Sequence, residues 1–234
     1  MSRRLMPLTG TVVVAALLVG NVLNASVGGS PPLHAAAADY AAGLNGADVR
    51  NWYLGTCMVV AAYLALPVLV TYLASTLAAD RHPQLRGLAL VGAATTTAVA
   101  LVGALPQVAL MVLAVDQELT PNNAKELVLV NAASWALSWC TTALWIGPIA
   151  LLMLRRPGIL KVLGSAGLLV AATLPLAAAT VWVSDTAVLA WMMTLLWILL
   201  VSIVLAAAPT RTLPAAGAHH STTTSATNSP VRTG

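Results

Sequence analysis

The feature that most constrains this chain is a series of long apolar segments separated by short polar ones. About 20 consecutive apolar residues in a helix cross a hydrocarbon core of about 30 Å, and several segments reach that length. Of the whole sequence, 59% is hydrophobic and 8% is charged, whereas soluble domains are roughly 25% charged. A soluble fold could not cover so much apolar surface. The sequence therefore predicts an all-α, polytopic transmembrane helical bundle.

The apolar segments predict six spans within a transmembrane domain covering residues 1–208. Their expected bounds are 8–27, 52–78, 86–114, 126–153, 159–183 and 187–208. The first span, which follows Arg3 and Arg4, also fits a signal peptide, so a retained anchor and a cleaved leader both remain open. The segment 209–234 is rich in Pro, Ala, Ser and Thr without periodicity and is expected to be a disordered tail.

The basic residues fix the expected orientation of the bundle. Of the 11 lysines and arginines, two, Arg50 and Lys125, fall on one side of the predicted spans. The other nine share the opposite side: Arg3, Arg4, Arg81, Arg86, Arg155, Arg156, Lys161, Arg211 and Arg232. Because short cytoplasmic segments carry the excess of basic residues, both termini are expected in the cytoplasm.

Uncharged polar residues are the candidates for function, because the predicted span interiors contain no ionisable side chain. This pattern argues against proton relays and carboxylate-coupled transport, and we expect neither a metal nor a cofactor. Asn24, Gln107 and Asn131 should share the outer third of the membrane, with Ser134 on the same helical face as Asn131. They could line a polar cavity open to the outside, or they could serve only to bring helices into close contact.

The long outer loop 28–51 is the second candidate region. Its Ala-rich part could form a short interfacial helix that caps the bundle, or it could be a simple connector. Asp39, Asp48 and Arg50 are its candidate functional side chains. Asp39 and Asp48 could hold a divalent metal together with His34, but their spacing matches no known ligand pattern, so no metal site is predicted.

One loop carries a family resemblance. Residues Arg155-Arg156-Pro157-Gly158-Ile159-Leu160-Lys161-Val162-Leu163-Gly164 form a basic turn that re-enters the membrane as Pro-x-Ile-Leu-x-x-Leu-Gly. This pattern, with the span layout from about Thr11 to Leu205, resembles the uncharacterised six-span bacterial integral membrane proteins grouped as a domain of unknown function. The resemblance implies a six-span fold and no activity or site residues.

These observations predict a multi-pass protein of a bacterial inner membrane without catalytic machinery. The first hypothesis is a binding, accessory or permeability component whose polar cavity faces outward. The alternative is a transporter or exporter of a small molecule, and a membrane enzyme is a third hypothesis. The expected partners are the lipid bilayer and either further copies of the chain or a membrane partner protein, and no nucleic acid.

The expected orientation can be tested by labelling. With Cys57 and Cys140 replaced by alanine, single cysteines introduced in the Arg155-Arg156 turn and in the tail should both resist a membrane-impermeant maleimide in intact cells. Both should react after lysis, because the positive-inside rule puts both segments in the cytoplasm. Labelling of one of them, and not the other, from outside would contradict the topology.

Overall fold

The computed structural model describes residues 8–25, 35–44, 48–78, 82–116, 118–180 and 186–207. Within these ranges the chain forms seven α-helices and no strand. The helices are α1 (Leu8–Ala25), α2 (Ala37–Leu44), α3 (Val49–Ala78), α4 (Pro83–Val115), α5 (Pro121–Leu154), α6 (Ile159–Thr180) and α7 (Thr186–Ala207). All except α2 are long and apolar enough to cross a membrane. The predicted all-α bundle with six spans is therefore confirmed, and the chain is a multi-pass integral membrane protein.

Several helices begin before the apolar run that predicted them. The third of the spans was expected from residue 86, but α4 starts at Pro83, and the fourth was expected from 126, but α5 starts at Pro121. At the start of α5, the Thr120 hydroxyl accepts a hydrogen bond from the backbone N–H of Asn123 (3.4 Å). The Asn123 side chain accepts one from the Thr120 N–H in return (2.8 Å). This capping box lets the helix extend into the polar interface, beyond the hydrocarbon.

Five of the described helices form a ring. Helix α1 packs against α3, α3 against α5, α5 against α6, α6 against α7, and α7 returns to α1. Helix α4 lies outside this ring and packs against α3 and α5. The short helix α2 rests on α5, where Tyr40 and Ala41 are buried against Ala124. Within the described part of the first outer connection, the chain thus covers the start of α5.

Close helix contacts depend on glycine. A Cβ atom placed on Gly92 of α4 would lie 2.7 Å from the backbone carbonyl carbon of Leu144 and from the backbone nitrogen of Trp145 in α5. A Cβ atom on Gly20 of α1 would lie 2.7 Å from the carbonyl oxygen of Gly55 in α3. Because the opposing atoms belong to backbone, they cannot swing away. Glycine at these positions is what allows the helices to approach.

Some predicted segments lie outside the described residues. These are the tail 209–234, the N-terminal residues before Leu8, and parts of the outer connection at 26–34 and 45–47. Helix α1, which could also be interpreted as a signal peptide, contributes Val13, Val14 and Leu17 to the hydrophobic core.

Replacing Gly92 by alanine should destabilise the bundle. The added methyl group would press on the backbone of α5, and overpacking of this kind costs about 1–3 kcal/mol. The measurement is thermal unfolding of the purified protein in detergent. Gly87→Ala is the matched control on the same helix, because a Cβ atom at Gly87 would meet nothing within 4 Å. Equal unfolding temperatures for the two variants would contradict this account of the α4–α5 contact.

Candidate functional site

The ring of helices encloses a cavity, which we call the central cavity. It is bounded by α1, α3, α5, α6 and α7. Its lining residues are Val13, Leu17, Ala62, Tyr63, Leu66, Trp139, Thr142, Trp145, Leu174, Trp191, Thr194, Leu195 and Ile198. Most lie near the middle of their helices, so the cavity sits in the middle part of the bundle.

Two hydrogen-bond donors in this lining have no acceptor. The indole Nε1 atoms of Trp139 and Trp145 are buried and unpartnered. Trp145 is only 1% exposed, so its ring is shielded from the surroundings of the bundle. A buried donor without a partner costs about 1–3 kcal/mol, so such groups are uncommon in folded proteins and call for an explanation. An acceptor that enters the cavity would supply one.

The ring of Trp145 packs against a second buried tryptophan, Trp197. The ring centroids of Trp145 and Trp197 lie 6.2 Å apart at an interplanar angle of 51°, in the range preferred by aromatic pairs. The Trp197 indole donates a hydrogen bond to the carbonyl oxygen of Leu163 (2.8 Å). Trp197 therefore links α7 to α6 while it supports Trp145 of α5. A buried indole in this bundle can thus have a backbone acceptor, as Trp197 does, whereas the indoles of Trp139 and Trp145 have none.

The two threonine hydroxyl groups of the lining are already engaged as donors. Thr142 donates to the carbonyl oxygen of Ser138 (2.7 Å), and Thr194 donates to that of Ala190 (2.9 Å). Each threonine oxygen retains lone pairs that can accept a hydrogen bond. The lining as described carries no charged side chain.

The cavity is narrow. The space in it that is open to the centre of a water molecule is about 30 Å³. A site needs about 10–15 Å³ of such space per water, so one or two waters fit as it stands. An organic ligand would require the surrounding side chains to move.

A crevice on the lipid-facing side lies beside the central cavity. It has a volume of about 340 Å³ and runs between α6 and α7, lined by Thr173, Leu176, Ala177, Thr180, Leu189, Ala190 and Met193. Thr173 and Ala190 are the chain neighbours of the cavity residues Leu174 and Trp191. The crevice and the central cavity therefore lie on different faces of α6 and α7.

The polar residues singled out in the sequence lie elsewhere, in the outer half of the bundle. Asn24 of α1 is packed against Gly55 of α3. Ser134 of α5 lies against Gly103 of α4, and its hydroxyl donates to the carbonyl oxygen of Val130 (2.9 Å).

Gln107 and Asn131 occupy the same outer region on neighbouring helices. Since Ser134 opposes Gly103 and the two helices run antiparallel, Gln107 of α4 and Asn131 of α5 belong to the same level. Gln107 is 9% exposed. The Oδ1 atoms of Asn24 and Asn131 are buried without a hydrogen-bond partner. None of these residues lines the central cavity, and a shared outward cavity between them stays a prediction.

The candidates of the outer loop have roles in the backbone. Asp39 accepts a hydrogen bond from the N–H of Ala36 (3.2 Å) at the start of α2. Asp48 accepts from the N–H groups of Arg50 (3.1 Å) and Asn51 (3.2 Å) at the start of α3. Carboxylates at helix N-termini are stabilising for this reason. The Arg50 side chain is exposed and lines a groove described below.

Two further features of the outer end concern titration and metal binding. Burial raises the pKa of Tyr40 in α2 above its ordinary value of 10.0. Among the described residues there is no cluster of three His, Cys, Asp or Glu side chains that could hold a metal ion. His34 lies outside them.

Sequence reasoning missed the central cavity. None of the tryptophans of α5 and α7 was among the predicted site residues. A usable signal was present, because Trp139, Thr142 and Trp145 follow each other at three-residue steps and so share one helical face. What the sequence could not give is that this face turns towards Tyr63 of α3 and Trp191 of α7.

Compared with known proteins, the chain matches no family model, no curated protein and no solved structure. The resemblance of residues 155–164 to the six-span bacterial proteins therefore stays a prediction, and the site has to be interpreted from its geometry alone.

Replacing Asn131 by leucine tests the outer polar residues. Because the Oδ1 atom of Asn131 is buried without a partner, the variant should unfold within about 1 kcal/mol of the parent or be more stable. If these residues form a functional cavity, the same variant should lose ligand binding or partner association while it stays folded. A variant that binds and associates like the parent would contradict the outward cavity.

Proposed function

We propose that this protein is a non-catalytic binding component of a bacterial inner membrane that holds a small, neutral, largely apolar molecule in the central cavity. The supporting observation is the pair of unpartnered indole N–H groups of Trp139 and Trp145 in that cavity. They would donate hydrogen bonds to an oxygen of the ligand. The proposal involves no cofactor and no nucleic acid, and it is compatible with a homo-oligomer or a membrane partner protein.

The charge of the ligand follows from the lining. An N–H group presents the positive end of its dipole to a partner, so a cation gains little from the donors even though aromatic rings surround it. An anion would satisfy the donors, but its transfer into a cavity without a positive side chain would be costly. A neutral acceptor such as a ketone, ester or amide meets both conditions.

The geometry also suggests how the ligand could reach the central cavity and which side chains would move to make room for it. The crevice between α6 and α7 is apolar and faces lipid, so a molecule dissolved in the bilayer could approach through it. The small residues Ala177 and Ala190 border that crevice. Binding would then displace Leu174 or Trp191 and widen the cavity. In this proposal Asn24, Gln107, Asn131 and Ser134 form a separate, outward-facing polar layer.

The second candidate function is transport or export of the same class of molecule. One observation favours it: Pro67 in α3 and Pro175 in α6 directly follow Leu66 and Leu174, which line the cavity. Proline removes a backbone hydrogen bond and so weakens a helix at that point, which is where alternating access would need it to bend.

The binding proposal can be tested with two molecules of nearly equal shape, acetophenone and ethylbenzene, which differ in a carbonyl group. In detergent, the protein should bind tritiated acetophenone saturably and prefer it roughly tenfold, as expected for one hydrogen bond that satisfies a buried donor. Trp145→Phe and Trp139→Phe keep an aromatic ring without the N–H. Each should reduce that preference towards equality while ethylbenzene binding persists.

Trp52→Phe is the matched control. Trp52 is buried near the outer end against Leu110 and Met111, away from the cavity, so its replacement should leave the preference unchanged. Absence of saturable binding of both molecules would overturn the binding function. Equal binding of both by the parent protein would leave binding intact and overturn the role of the indole donors.

Transport is distinguished from binding by flux. Proteoliposomes should release loaded acetophenone-like ketones faster than protein-free vesicles if the second candidate is right, and at the same rate if the protein only binds. The larger and slowly permeating ketones are the useful probes, because small ones cross the lipid unaided.

A further inference from the structure

A second recess, which we call the outer groove, lies at the opposite side of α3 from the central cavity. It runs between the outer ends of α3 and α4 and has a volume of about 520 Å³, within the range of about 300–1,000 Å³ typical of ligand sites. Its lining residues are Val49, Arg50, Tyr53, Val108, Met111, Val112, Val115 and Asp116. It is open to the surroundings, so its occupant in a membrane has to be lipid or another membrane component.

The groove is apolar along its length and charged at one end. The valines of α4 that line it are exposed, with Val115 at 60% and Val112 at 54%. Arg50 stands in the first turn of α3, and Asp116 is the residue that ends α4. Both helix ends lie on the predicted outer side. The arrangement thus offers a surface for an acyl chain below a pair of opposite charges.

These two charges are not used to hold the fold together. Across the described ranges, neither the Arg50 guanidinium nor the Asp116 carboxylate has an ion-pair partner, and the two are not paired with each other although they line the same groove. The backbone N–H of Arg50 is engaged by Asp48 (3.1 Å). The backbone of the first turn of α3 is therefore already capped. A phosphate bound here would contact the Arg50 guanidinium and not free backbone N–H groups.

The charge balance selects among headgroups. In the groove, Arg50 and Asp116 provide one charge of each sign, and Asp48, whose carboxylate accepts from the Arg50 N–H, adds a second negative charge beside them. The end of α4 adds the partial negative charge of a helix C-terminus beside Asp116. A headgroup with a net negative charge is disfavoured there. One that carries a phosphate and an ammonium group together matches both signs.

We propose that the outer groove binds a phospholipid with a phosphate and a primary ammonium in its headgroup, of the phosphatidylethanolamine type. The Arg50 guanidinium forms charge-assisted hydrogen bonds to the phosphate, for which its planar fork is suited. The Asp116 carboxylate accepts from the ammonium, and an acyl chain lies along Val108, Val112 and Val115. A quaternary ammonium has no N–H to donate, so phosphatidylcholine is bound less well. This site is independent of the ligand proposed for the central cavity.

The experiment is lipid retention by the full-length protein, measured by native mass spectrometry. The detergent-solubilised protein is mixed with equal amounts of phosphatidylethanolamine, phosphatidylcholine and phosphatidylglycerol that carry the same acyl chains. The expected preference for phosphatidylethanolamine is roughly two- to fivefold, in keeping with exposed charge pairs of this kind.

Variants assign the two charges separately. Arg50→Gln should reduce retention of all three phospholipids, whereas Asp116→Asn should remove the preference for phosphatidylethanolamine and leave total retention nearly unchanged. Glu118→Gln and Lys125→Gln are the matched controls, because they alter a carboxylate and a cation on the same side that do not line the groove. Both should behave like the parent.

Two results of the experiments above would overturn the proposal. One is equal retention of the three lipids by the parent protein, which would mean ordinary lipid contact. The other is a control variant that shifts the lipid profile as much as the groove variants do. A third variant, Val112→Trp, fills the groove without altering charge and should reduce phosphatidylethanolamine retention, and full retention would place the lipid elsewhere.

Discussion

Hydrocarbon cannot hydrogen-bond to a protein, and this constraint governs the whole molecule. Each polar group inside the bilayer must find its partner within the chain. Most hydroxyl groups of the described helices do so locally, whereas Thr97 of α4 reaches the carbonyl oxygen of Tyr63 in α3 (2.9 Å). Thr56 donates to the carbonyl oxygen of Trp52 (3.0 Å), Thr96 to that of Gly92 (2.9 Å), and Ser202 to that of Ile198 (2.7 Å). Because the hydroxyl groups of the described helices so generally have an acceptor within the chain, the unpartnered indole N–H groups of Trp139 and Trp145 are exceptional. They mark the central cavity as one of the places where buried polar atoms of the described bundle lack a partner, beside the Oδ1 atoms of Asn24 and Asn131.

The same constraint explains how much of the fold could be predicted. A span has a minimum length set by the bilayer, so apolar runs located all six helices before any contact was known. Their ends were less predictable, since α5 begins at Pro121 through a cap built by Thr120 and Asn123, which are polar residues. The hydropathy of the sequence indicates only the part of each helix that crosses the hydrocarbon. The full length of a helix depends also on the polar residues that cap it.

Prediction of the site was limited for a different reason. The sequence directed attention to polar residues, of which Gln107 and Asn131 lie at one level of the bundle while Asn24 packs against Gly55, and whether they form a site stays a prediction. The tryptophans were passed over because an indole is amphipathic and serves equally in packing, in contact with lipid and in ligand binding. Which of these roles a tryptophan has depends on how the five helices of the ring are arranged, and the sequence does not give that arrangement. Asp39 and Asp48 were predicted as candidate functional side chains. Their hydrogen bonds to backbone N–H groups at the starts of α2 and α3 account for them as helix caps.

The closure of the ring by the first and last helices has a consequence for how the protein is made. Gly10 of α1 lies so close to Ser202 of α7 that a side chain there would collide with the serine hydroxyl. Helix α1 leaves the ribosome first and α7 last, so the early helices must wait in the membrane until synthesis is nearly complete. Until then α1 lacks its contact with α7, and the central cavity lacks the wall formed by Trp191, Thr194, Leu195 and Ile198. A polypeptide interrupted before α7 would therefore not contain the central cavity.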